Sequence, residues 1–154
     1  MKLGIKEYKL VTLDEESKIP ETLKFHMLCA RHDDKLYTLL VLLNTIIKND
    51  DLTLIFAPTK FHCEYIHEFL KLFDIETMYI HGNMDQDLRT LNIEKFRKRK
   101  VRLLVVTDLA ARGLDIPMLD NVINFNFPDR PKLFIHRVGR TGRAGRGKIF
   151  IIQK

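Results

Sequence analysis

PKLFIHRVGRTGRAGRGK, residues 131–148, reads as a short helix, a glycine and arginine loop, and the start of a strand. Pro131 suits the first turn of a helix, where its missing N–H is no loss. Phe134 and Val138 stand four apart and share a face, and Gly139 ends the helix. Four of the chain's seven glycines fall here, at Gly139, Gly142, Gly145 and Gly147. Arginine recurs every third residue, at Arg137, Arg140, Arg143 and Arg146. From Asp129 to Lys148 seven Lys/Arg face one Asp, a net of +6, which equals the charge of the whole chain (26 − 20), so the other residues sum to zero. Arginine offers fixed planar donors that grip phosphate in bidentate fashion. Interleaved glycine lets the backbone approach a ligand closely. The loop is built to handle phosphate.

Working outward, apolar strand patterns alternate with helices of about a dozen residues. Thr22 to Cys29 alternates, with Leu23, Phe25, Met27 and Cys29 on one side and Lys24 and His26 on the other. Asp33 and Asp34 open a helix that carries Leu36, Leu39, Leu40, Leu43, Ile46 and Ile47 inward. Leu52–Phe56 suits a buried parallel strand, and Thr59 can cap a helix that buries Cys63, Ile66, Leu70 and Phe73. Thr77–Ile80 is the next strand, followed by His81-Gly82 and a helix from Asp85 to Arg97. Leu103–Thr107, Asp120–Asn126 and Lys148–Ile152 complete the strands. The expected fold is α/β, a three-layer domain with a mostly parallel sheet and helices on both faces. Ligands in such folds bind beyond the carboxyl ends of the strands. The segments there are 57–60, 81–86, 107–115 and the glycine and arginine loop.

With 154 residues, 45% apolar and 30% charged, the chain can bury one core and does not read as disordered. The start, Met1 to Leu10, carries Lys and Glu and does not read as a signal peptide. The longest apolar run, Leu39–Leu43, is far short of the roughly 20 residues of a membrane helix. Cys29 and Cys63 give no disulfide framework, fit core positions, and suit a reducing intracellular compartment. Cys63 and His67, with His62 adjacent, resemble a metal pair, but two ligands on one face do not make a site, and no metal is expected.

Four stretches, in order and spacing, resemble the DEAD-box RNA helicases. His136-Arg137-Val138-Gly139-Arg140-Thr141-Gly142-Arg143 is similar to their motif VI, and the run from Thr107 to Pro117, TDLAARGLDIP, to their motif V. Leu54–Lys60 resembles motif IV, and His81-Gly82 with Gln86 and Arg89 the element after it. The likeness runs from Val11 to the end. DEAH-type relatives put Gln at the place of His136. The phrase from Val106 to Arg140 also resembles a nucleolar subgroup that acts in large-subunit ribosome assembly, which implies a nuclear, nucleolar location and pre-ribosomal partners. No G-x-x-x-x-G-K-[ST] loop and no Asp-Glu-Ala-Asp occur. The chain therefore resembles the second RecA-like lobe, residues 21–154, with 1–20 as the linker from a first, ATP-binding lobe.

The resemblance implies roles residue by residue. Arg140 and Arg143 match arginine fingers that act on ATP, and His136 stands with them. Asp115 matches a carboxylate on the ATP ribose, with Gly113 beside it; the open backbone of Gly113 also suits RNA phosphate. Thr59, Lys60, Gly82, Arg89 and Thr107 match the RNA side, where donors meet phosphates and 2′-hydroxyls. Lys60 is either a phosphate contact or an exposed lysine, and Gln86 supports Arg89. His136 and Arg137 bridge the lobes, with a structural histidine as the alternative. Arg112 holds a lobe contact or a local salt bridge. Arg146 lies past the motif. Magnesium falls to the other lobe, and no membrane is implied. The rival readings are a non-catalytic RNA-binding or docking module of the same fold, and a DNA-translocating relative.

Overall fold

The computed structural model describes residues 5–7, 23–141 and 147–153, and the side chains from Leu23 onward among them. A seven-stranded sheet runs in the order β1-β2-β7-β6-β3-β5-β4. Its strands are β1 (Ile5–Glu7), β2 (Lys24–Cys29), β3 (Thr53–Phe56), β4 (Met78–Ile80), β5 (Leu103–Val106), β6 (Asn121–Asn124) and β7 (Lys148–Gln153). All pairings are parallel except β1 with β2, where Ile5 faces Leu28 and Glu7 faces His26. The edge strand β1 lies within the stretch expected as linker.

The helices are α1 (Lys35–Thr45), α2 (Lys60–Lys71), α3 (Gln86–Arg97), α4 (Asp108–Ala111) and α5 (Pro131–Val138). Strands of the sheet's middle bury both faces, with a period of two. Ile55, Val105, Ile123 and Phe150 pack under α1 and α2 with Leu39, Leu43, Cys63, Ile66 and Leu70. Leu54, Phe56, Leu104, Val106, Val122 and Ile149 pack on the other side with Phe96 of α3, Ala110 of α4 and Phe134 and Val138 of α5. The face changes where the winding direction changes. From β2 to β3 and β3 to β4 the chain steps one way across the sheet, and from β4 onward it steps back. Right-handed crossovers require helices to swap faces at that reversal.

Several local expectations are corrected. The 107–115 segment, given no element of its own, contains α4, which Thr107 caps by accepting the Ala110 N–H at 3.3 Å. Cys29, expected in the core, is exposed at the end of β2, while Leu28 is buried. Phe73 lies past the end of α2 and is 44% exposed. Cys63 is a core residue, and burial followed by the Glu64 charge pushes its thiol up to about 12. Thr59 caps α2 and Pro131 opens α5, both as expected. Gly139 ends α5 with right-handed backbone, so no left-handed turn is needed there.

Candidate functional site

The residues expected to be functional gather along the carboxyl ends of the parallel strands. A cavity of about 390 Å³ opens over β6, β3 and β5, with Phe56, Asp108, Arg112, His136, Arg137 and Arg140 in its wall and Arg130 and Lys132 beside them. Crossovers leave β3 for one face and β5 and β6 for the other, so the cavity sits at a topological switch point. Its wall holds five Lys/Arg and one carboxylate.

That carboxylate is already neutralised. Arg137, 3% exposed, forks onto Asp108, with Nε to Oδ1 and Nη2 to Oδ2 both at 2.7 Å. Its Nη1 donates to Asn124 Oδ1 at 2.8 Å and to the Asn126 carbonyl at 2.9 Å. The guanidinium also lies 4.8 Å from the centre of the Phe56 ring. Four of its five N–H donors are thus used inside the lobe. Arg137 ties α5 to α4, β6 and β3, and in this conformation does not present itself to a second lobe. His136, its neighbour, is exposed on the cavity side.

The far end of α4 is held by two more arginines. Arg89, from the second turn of α3, donates Nη2 to the Ala110 carbonyl at 3.0 Å. Arg140 donates Nη2 to the Ala111 carbonyl at 3.3 Å and Nη1 to the Leu114 carbonyl at 2.9 Å. Cations at a helix carboxyl terminus satisfy carbonyls that lack intrahelical partners. Arg89 is expected on the RNA side and Arg140 on the nucleotide side, and the structure brings both to one four-residue helix. Gly113, at φ +72°, turns the chain after it. Asp115 then receives Arg97 twice, Nε on its carbonyl at 2.7 Å and Nη2 on its carboxylate at 2.9 Å. The Asp115 side chain is 93% exposed, so one carboxylate oxygen still faces solvent. Arg112 is exposed and lines the cavity, and it forms no salt bridge among the described residues. Arg143 lies outside the described residues.

The expected RNA-side residues follow the adjacent strands β3, β5 and β4. The Thr59 hydroxyl accepts the His62 N–H at 3.3 Å and lies 2.8 Å from His62 Nδ1. Lys60 Nζ sits 5.0 Å from the Phe61 ring centre. Gly82 is exposed after β4, and a Cβ there would touch Leu109 of α4 at 3.4 Å. Burial, then the His32 and Lys35 charges, lowers the His62 pKa below its ordinary value. His67, set four residues from Cys63 in the metal-like pair, shares a 2.7 Å hydrogen bond with Thr77.

Asp108, Asn124 and Arg97 carry the site's internal wiring, yet spacing assigns them no role. Asp108 and Arg137 are separated by 29 residues and no local pattern joins them. The adjoining phrase Thr107-Asp108 marks Asp108 only as one more polar residue.

Comparison with known proteins fits this geometry. The family described as the helicase conserved C-terminal domain matches residues 34–145. A putative DEAD-box ATP-dependent RNA helicase 29 of Arabidopsis thaliana is 52% identical over 145 residues, 94% of this chain and 17% of that protein. The ATP-dependent RNA helicase DDX54 of Mus musculus is 48% identical over 143 residues, 93% of this chain and 16% of that protein. The chain thus spans less than a fifth of either relative. Among solved structures, a DEAD box protein from Methanococcus jannaschii aligns at a TM-score of 0.75 with 31% identity over 84% of this chain and 34% of its own. The C-terminal domain of the DEAD-box protein Dbp5 aligns at 0.72 with 30% identity, over 84% of this chain and 75% of its own. The chain belongs to the helicase conserved C-terminal domain family, as a RecA-like lobe of the DEAD-box kind.

Proposed function

We propose that this chain is the second lobe of an ATP-dependent RNA helicase that remodels short RNA duplexes. The carrying observation is the cavity at the switch point, five cations around one carboxylate that Arg137 has already paired. Such a wall fits the phosphates of ATP. ATP supplies the phosphoryl group that leaves. Arg140 uses two donor contacts to hold the Ala111 and Leu114 carbonyls, which leaves other N–H groups of its five to meet a phosphate oxygen. Arg140 and Arg143 then serve as arginine fingers, a role worth ~10³–10⁵ in rate in other phosphoryl-transfer systems. Asp115 accepts a ribose hydroxyl through its exposed oxygen. The resemblance assigns the magnesium mainly to the first lobe.

Thr59, Lys60, Gly82, Arg89 and Thr107 form the matching RNA edge. Arg89 and Arg140 both end on α4, so RNA engaged at one side and nucleotide at the other act on the same helix. Residues 1–20 serve as the link to the first lobe. Relatives named ATP-dependent RNA helicase DDX54 and dbp10 support the RNA-helicase reading, and the likeness of the phrase from Val106 to Arg140 to a nucleolar subgroup is the ground for assigning it to pre-ribosomal RNA in the nucleolus.

The test is Arg140→Ala with Arg143→Ala in the full-length protein. RNA-stimulated ATP hydrolysis should fall at least a hundredfold while RNA affinity stays within a few fold. Unchanged hydrolysis would instead favour a binding module that kept the fold.

A further inference from the structure

KFRKRKVR, residues 95–102, sets Lys95, Arg97, Lys98, Arg99, Lys100 and Arg102 within eight residues and no carboxylate among them. Its charge of +6 equals that of residues 129–148, and the chain as a whole is +6, so everything else sums to −6 (6 − 6 − 6). Among the described residues, the cations from Arg130 to Arg140 lie at the opposite end of the sheet from those of 95–102, while Lys148 opens β7 at its amino end. Residues 129–141 flank the cavity, whereas 95–102 closes α3 and enters β5 at its amino end.

The local fold turns these cations outward. Phe96 and Val101 are 0% and 3% exposed and pin the segment to the core. Between them the Lys100 N–H bonds the Lys95 carbonyl at 2.9 Å, and Arg99 takes φ +54°. Lys98, Arg99 and Lys100 are all exposed. Arg99 and Arg102 hold the carbonyls of Asp50 and Lys48 at 3.2 and 3.1 Å, and so stiffen the platform. The carboxylates at this pole include Glu94, Asp50, Asp51 and Asp120, with Asp74 and Glu76 on the chain that enters the neighbouring strand β4. Glu94 pairs with Lys98 at 3.1 Å. Asp51 accepts from Asn121 and from the Lys48 N–H, and Asp120 accepts the Leu52 N–H. Lys95 and Lys100 have no acidic partner within 4.0 Å among the described residues.

A protein partner would want apolar or aromatic anchors, and lysine is depleted at such interfaces. Here the only large apolar side chains of the segment are buried. A row of ammonium groups without an apolar centre suits a phosphodiester backbone. The same helix links this row to the RNA edge. α3 carries Arg89 near its start and the basic cluster at its end, and its 12 residues span ~18 Å.

We propose that residues 95–102 form a second RNA-backbone contact, outside the groove, that holds the flank of an RNA leaving along α3. The proposal rests on the RNA reading above. It predicts tighter binding to long RNA without a change in the chemistry at the cavity.

The test uses the full-length protein with Lys95→Gln, Lys98→Gln and Lys100→Gln combined, and the matching triple Lys→Arg variant. Binding to a ten-nucleotide RNA and to a forty-nucleotide RNA is measured across salt concentrations. Loss of three phosphate contacts should flatten the slope of log affinity against log salt by about 2 for the long RNA only. The Arg variant should keep the slope, and ATP turnover with the short RNA should be unchanged in both. An unaltered slope on long RNA would overturn the proposal and leave a solvated face. Equal loss on both RNAs would overturn it too, by placing the lysines in the groove. Polyglutamate that binds the wild type and not the Gln variant, with RNA binding equal in both, would mean an acidic protein instead. Failure of the wild type to bind either RNA would sink the RNA reading itself.

Discussion

Arg137 shows how one side chain can set a site without facing its ligand. A buried guanidinium is tolerated only with its charge and donors satisfied, and Asp108, Asn124 and the Asn126 carbonyl do that. Arg137→Ala leaves Asp108 and two further acceptors without their donor, so urea unfolding should show a loss of about 3–5 kcal/mol. A cycle with Asp108→Ala should recover part of that as coupling between the two. His62 gives a second prediction at this scale. Its lowered pKa means the unfolded chain takes up the proton first as pH falls below the ordinary 6.5. Stability should therefore decline as pH drops from 6.5 to the lower folded value, and be fully present above 6.5. His62→Gln should remove that part of the decline, as read from thermal melts at a series of pH values. A neutral Nδ1 can also accept from the Thr59 hydroxyl while that hydroxyl oxygen accepts the His62 N–H; a protonated one cannot.

α4 is the element on which the site turns, and it is four residues long. Such a helix has no periodicity to read and little stability of its own. It exists because Thr107 caps one end, Asp108 is clamped, and Arg89 and Arg140 take the carbonyls at the other. Gly113 then reverses the chain, and a methyl group added to its Cα would meet nothing within 4 Å. Gly113→Ala should therefore cost only the left-handed backbone penalty, about 1–2 kcal/mol by denaturant unfolding, with no steric term. The long elements were legible for a simple reason: strands buried on both faces, such as Leu103–Val106, read as unbroken apolar runs. Thr59, Pro131 and Gly139 marked helix ends through local chemistry that needs no tertiary partner. Cys29 and Phe73 differ from the expected core positions because an apolar residue at an element's end is covered on one side at most, as Phe73 is by the Phe69 ring at 5.1 Å. The expected site residues fell at the right end of the sheet, yet what each one grips was hidden, since every clamp joins residues far apart in sequence.

At the scale of the whole lobe, the winding puts the described segments expected to face ligand on one rim. That rim is unbalanced. Its cavity offers cations, and the one carboxylate among the described residues of its wall is bound to Arg137. Hydrolysis also needs a group to orient the attacking water and oxygen ligands for magnesium, and the two-lobe reading assigns both to the first lobe. On that reading this lobe stabilises charge that another body brings and leaves the attack to the first lobe. The 154-residue chain alone should thus show no RNA-stimulated ATP hydrolysis above background, and only weak nucleotide binding, by phosphate release and by calorimetry. Joining it to its first lobe should bring turnover. Activity in the isolated chain would mean that the cavity holds the nucleotide unaided, and the division of labour between two lobes would have to be abandoned. The same imbalance makes nucleotide binding by the isolated lobe a matter of charge, so what little there is should vanish as salt rises.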